Sequence, residues 1–163
     1  MNLEQYSTVL SVLVLLLGAG TFLSIVSYAF SPATRAWAET VSYTSWLKWI
    51  AGFATIATLG AVTYQYVYLT PVCVLCWWQR IFMFPIELIV GILAAIGLPI
   101  AAYHYYGHYQ KYVAGNPFLL PCSTNPLEPS CSNSPIVTFD FITIPFMALV
   151  VFTTLLWLSY LAH

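Results

Sequence analysis

Two thiols, Cys73 and Cys76, stand in the run Pro71-Val72-Cys73-Val74-Leu75-Cys76-Trp77-Trp78-Gln79-Arg80, which opens a long apolar segment. A Cys-x-x-Cys pair can close a small disulfide ring. If the pair starts a helix, unpaired backbone N–H groups and the helix dipole stabilise the second thiolate. Arg80 follows Cys76 by four residues, so on a helix the two share a face about one turn apart. A thiolate, a fixed positive charge and an apolar wall with two tryptophans suit redox exchange with a flat, weakly polar electron carrier. A structural disulfide and half of a metal site fit the same spacing.

A second pair, Cys122 and Cys131, lies in the one long irregular stretch, Ala114 to Pro135, with Pro117, Pro121, Pro126, Pro129 and Pro135 around it. A long loop with its own cysteines points to function rather than filler. Four thiolates could bind zinc. Zinc sites usually occupy polar hairpins, however, and the first pair abuts apolar sequence. Two purely structural disulfides are the other reading.

The composition shows what must position these groups. The chain is 61% hydrophobic and 17% aromatic, with four basic and five acidic side chains in 163 residues. Soluble domains carry about 25% charged residues; this chain carries 6%. It reads as an integral membrane protein in a single domain. With no basic patch, nucleic acid is not an expected partner.

Val9 to Phe30 is long enough to cross a bilayer, which takes about 20 apolar residues. The segment before it has no Lys or Arg and carries Glu4, unlike a secretory signal, so a retained helix is expected. Ser31 to Ser45 is a polar connector with Pro32, Arg35 and Glu39. Trp46 to Tyr68 is the second span, with Trp46 and Trp49 at one end and Tyr64, Tyr66 and Tyr68 at the other, as aromatic belts would be. Arg35 and Lys48 place the connector in the cytoplasm by the positive-inside rule, and hence Cys73 and Cys76 on the outer face. Disulfides persist in that compartment. From Trp77 the chain is apolar to Ile96, then reads Gly97-Leu98-Pro99, the punctuation of a tight helix–helix turn. Ile100 to Val113 resumes helical and turns polar through His104, His108, Gln110 and Lys111, and Phe141 to Leu161 is the last span.

Cys-Val-Leu-Cys-Trp-Trp-Gln-Arg-Ile-Phe-Met-Phe-Pro, then Pro-Cys122 and Cys131-Ser, then Phe141-Ile-Thr-Ile-Pro145-Phe, resembles the DsbB/BdbC family of membrane thiol oxidases linked to quinones. The resemblance runs from about Trp46 to the C-terminus, and its first motif is the specific one. It implies an all-α integral membrane fold: a DsbB-like four-helix bundle (46–68, 77–96, 99–113 and 141–161) with an outer cysteine-bearing loop at 114–140. The helix at 9–30 looks like an added N-terminal span. Cys122 and Cys131 match the pair that exchanges disulfides with a soluble thioredoxin-fold, DsbA-like partner. Cys73 and Cys76 match the pair that passes electrons to a ubiquinone or menaquinone, with Cys76 nearer the ring. Arg80 matches the arginine at the quinone site, and His104 sits where relatives carry a histidine. The implied location is the cell membrane, multi-pass, with both cysteine pairs outside.

Taken on its own, Arg80 could snorkel to the headgroups and His104 could belong to the interfacial tyrosines. Glu87 is an intramembrane charge with either a proton-path or a hydrogen-bonding role, and Asp140 reads as a capping charge for the last helix. An enzyme resembling vitamin K epoxide reductase would also pair a membrane Cys-x-x-Cys with a quinone. In that family the motif follows the loop cysteines, whereas here it precedes them. A disulfide-stapled scaffold without enzymatic activity is the third class. The segment from Trp77 to Pro121 lacks a charged connector. A single long helix from Trp77 to Tyr106 would put the cysteine pairs on opposite sides of the membrane. A hairpin turning at residues 97–99 keeps them together and is the expected arrangement.

Overall fold

The computed structural model describes residues 2–69, 74–83, 90–116 and 137–162, with the side chains of Val74, Trp77, Arg80, Phe82, Met83 and Val90 outside the description. It is an all-α membrane protein built from α1 (Leu3–Phe30), α2 (Pro32–Thr40), α3 (Tyr43–Tyr66), α4 (Val74–Met83), α5 (Val90–Tyr112) and α6 (Ile144–Leu161). Among the described residues, α1, α3 and α6 are long and apolar enough to span a membrane. Leu10, Val14 and Leu17 of α1 follow helical spacing on one face, while Val9, Val12 and Leu16 lie exposed on others. Such an all-round apolar helix belongs in lipid.

Most of the polar connector, Pro32–Thr40, is helical and forms α2. Ser31 caps it, accepting from the Thr34 N–H at 3.4 Å, and Pro32 takes the first helical position. Arg35 donates to the Tyr28 carbonyl at 2.8 Å and also to that of Ala29, closing the C-terminus of α1. Trp46 and Tyr64 are not belt residues. Both are buried, Trp46 edge-on to Trp37 and Tyr64 against Tyr6, while Trp49 and Tyr66 face outward.

α6 is the central helix, in contact with α1, α3, α4 and α5. It runs parallel to α1, since Thr21 meets Thr154, Ser24 meets Trp157 and Tyr28 meets Tyr160. It is antiparallel to α5, where Gly91 lies against Ser159 and Tyr105 against Phe146. Ile50 and Ala54 of α3, Ala94 and Ala101 of α5, and Val151, Phe152 and Leu155 of α6 form the core.

The expected turn at residues 97–99 is overturned. α5 runs unbroken through Pro99, so the expected core helices 77–96 and 99–113 are replaced by α4 and α5. Gly97 serves packing instead: a Cβ there would lie 2.5 Å from the Phe152 ring. Pro99 faces outward, where its missing N–H is tolerated in a membrane helix. α4 nevertheless packs beside α5. In one straight helix residues 79 and 104 would lie roughly 37 Å apart at about 1.5 Å per residue, yet their side chains touch. α4 and α5 are therefore separate helices packed side by side.

Ahead of α6, β1 (Val137–Thr138) pairs antiparallel with β2 (Ile142–Thr143), Val137 opposite Thr143. The expected capping role of Asp140 is corrected here. Thr143 is the N-cap, and Asp140 sits in the β1–β2 turn with φ of 63°, a left-handed conformation that Asp tolerates better than most residues.

Candidate functional site

α4 carries Cys76 near its start, with Gln79 three residues on and Arg80 four on. A side chain three residues on, as at Gln79, shares a helix face with Cys76. Cys76 is half-buried, and both it and Gln79 line an apolar cavity of about 380 Å³ enclosed by α1, α3, α4 and α6. The remaining lining is almost wholly hydrocarbon, including Phe53 and Ala57 of α3 and Met147 and Val151 of α6. The volume lies near the lower end of the usual range for small-molecule sites, with apolar walls and few polar groups.

Behind Gln79 lies a second polar layer. Gln79 is 3% exposed and His104 on α5 is 1% exposed, and the Gln79 Nε2 lies 3.2 Å from His104 Nδ1. The His104 and His108 rings meet edge to face, with centroids 4.9 Å apart, and Tyr112 continues the row. Spacing of four residues along α5 aligns these three side chains. His104 is not in the cavity wall; Gln79 stands between it and the cavity. His104 thus touches a residue of the cavity wall, Gln79.

Gln79 is the residue that sequence reasoning passed over. Its signal was present in the motif, one helical turn beyond Cys76. The other expected site residues lie outside the description: Cys73, Cys122 and Cys131 in full, as does Glu87, and Arg80 in its side chain. The segment holding Cys122 and Cys131 nevertheless leaves from Tyr112 at the end of α5 and returns at Val137, next to the start of α6. Both points belong to the Cys76 end of the bundle.

The chain is 36% identical over 134 residues to the probable disulfide formation protein C 1 of Bacillus cereus, covering 73% of this chain and 91% of the relative. The chain belongs to the DsbB/BdbC family. The disulfide bond formation protein C of Bacillus subtilis is 35% identical over 125 residues, covering 68% of this chain and 83% of the relative. A probable disulfide formation protein of Coxiella burnetii is 30% identical over 120 residues, covering 66% and 79%. No protein-family model matches the chain, and no solved structure does. Membership in the DsbB/BdbC family agrees with the motif that opens α4 and with the membrane-spanning architecture around it.

Proposed function

We propose that this protein acts in disulfide bond formation as a protein-disulfide:quinone oxidoreductase of the cell membrane, with its cysteine pairs on the outer face. The observation that carries this reading is the placement of Cys76 and Gln79 in the wall of the apolar cavity between membrane helices. A carrier confined to lipid reaches such a cavity, whereas a soluble electron acceptor does not.

The partner is a soluble thioredoxin-fold, DsbA-like dithiol. Its two thiols are oxidised to a disulfide while the Cys122–Cys131 disulfide is reduced, by attack of a thiolate on a disulfide sulfur. The loop dithiol then reduces the Cys73–Cys76 disulfide in the same way. Closure of that disulfide releases two electrons and two protons, which convert a ubiquinone or menaquinone to its quinol. Cys76 is the thiol that faces the ring. Arg80, one turn further along α4, is assigned the positive charge that favours the Cys76 thiolate and the negative charge developing on the carrier oxygen. Gln79 offers an amide toward the cavity and holds His104 in register behind it.

The test is quinone reduction by the purified protein supplied with a reduced thioredoxin-fold dithiol. Stoichiometric conversion, one quinol per partner disulfide, is expected. Oxidation of the partner with no quinol formed overturns the assignment.

A further inference from the structure

α1 was expected as an added span, yet it supplies one wall of the cavity through Leu10, Leu13, Val14 and Leu17. It is pinned to the bundle along its length. Tyr6 donates to the Gly60 carbonyl of α3 at 3.2 Å, Thr21 and Thr154 share a hydrogen bond of 2.9 Å, and Trp157 donates to Ser24 at 3.0 Å. Gly18 lets the Val150 side chain approach, since a Cβ there would lie 3.4 Å from it. A helix held at both ends and in the middle is a fixed wall.

The cavity has a recognisable mouth. Of all its lining residues, only Leu13 on α1 and Ile56 on α3 are exposed, by 53% and 66%. On the opposite side Gln79 and Met147 are buried. In a membrane, the exposed flank of α1 and α3 faces hydrocarbon. We propose that Leu13 and Ile56 frame a lipid-facing portal, so that a prenylquinone lies with its ring toward Cys76 and its tail leaving the protein between α1 and α3. α1 thereby becomes a substrate-binding element that selects for tail as well as ring. The inference rests on the quinone oxidase reading above and adds the path and the residues that set it.

Two measurements test it on the full-length protein in nanodiscs. Leu13→Trp and Ile56→Trp fill the portal from the lipid side, where a larger apolar side chain costs the fold little. Each is expected to raise KM about tenfold or more for a quinone with a multi-unit prenyl tail. A tail-less quinone should keep its KM, and kcat should hold for both. Leu16→Trp, on the same helix at a site 65% exposed and outside the cavity lining, is expected to behave as wild type with both. Equal KM changes for the two quinones, or none, overturn the portal while leaving the oxidase reading intact. Failure of the wild type to reduce either quinone overturns both. The second measurement does not depend on turnover: a quinone with a photoreactive group on its first prenyl unit is crosslinked and mapped by mass spectrometry. Label on residues 10–17 and 53–57, protected by excess unlabelled prenylquinone, is expected. Protected label on α5 alone sinks the proposal.

Discussion

Gln79 on α4 and His104 on α5 meet through Nε2 and Nδ1 at 3.2 Å, inside the bundle and one layer behind the cavity wall. The contact joins the helix that carries Cys76 to the helix that leads toward the loop cysteines. Buried interhelical hydrogen bonds of this kind contribute about 0.6 kcal/mol on average in membrane proteins, with a maximum near 1.7. Gln79→Leu removes the amide and is expected to destabilise the protein within that range. A double-mutant cycle with His104→Phe should return a coupling of the same size, measured by reversible unfolding in mixed micelles. Strict additivity of the two variants would show that the pair is not coupled.

Cys76→Ser isolates the membrane pair from the loop pair. Quinone reduction is expected to be lost, since the thiol in the cavity wall is gone. Cys122 and Cys131 should still close their own bridge, read as resistance of both thiols to alkylation after oxidation. Quinone turnover that survives the substitution would remove Cys76 from the electron path.

How much of this was legible in the sequence depended on whether a residue's role was local. The spans at α1, α3 and α6 follow from hydropathy and length, and the Cys-x-x-Cys helix follows from its own motif. Roles set by neighbours were hidden. Gly97 and Pro99 carry the same letters whether they turn a chain or face a ring and lipid, and only the buried Phe152 on α6 decides between them. Trp46 and Tyr64 look like belt residues by position, but both are buried, Trp46 edge-on to Trp37 and Tyr64 to Tyr6. Asp140 stands close enough to α6 to read as a cap, until the β1–β2 pairing gives that place to Thr143. The wall supplied by α1 had no local signal, because an apolar residue facing a cavity is spelled the same as one facing lipid.

The close approach at Gly97 gives a stability prediction. Phe152 is fully buried, so a methyl group at position 97 cannot be accommodated by turning its ring into open space. Gly97→Ala is expected to destabilise the fold by about 1–3 kcal/mol, the usual cost of overpacking a filled core. Phe152→Leu leaves a gap on its own, and the two substitutions combined should cost less than their sum. If Gly97→Ala unfolds at the wild-type midpoint, α5 and α6 do not approach as closely as the structure has them.

The last prediction concerns the sidedness of the two cysteine pairs. α5 is antiparallel to α6, from Gly91 at Ser159 to Tyr105 at Phe146. The C-terminus of α5 and the N-terminus of α6 therefore share one end of the bundle. The Gln79–His104 contact brings α4 alongside α5. Cys76, closer to the start of α4, lines the same cavity as Ile144 at the start of α6. The segment 117–136 leaves from and returns to that end. Reduced Cys73 and Cys122 should thus both react with a membrane-impermeant maleimide added to right-side-out vesicles. In a cysteine-less background, Leu98→Cys should stay unlabelled from either face, since position 98 lies inside α5 and not in a turn. Labelling of Leu98→Cys from the inner face would restore a turn at residues 97–99. Labelling of Cys73 and Cys122 from opposite faces would break the hairpin, and with it any direct exchange between the two pairs.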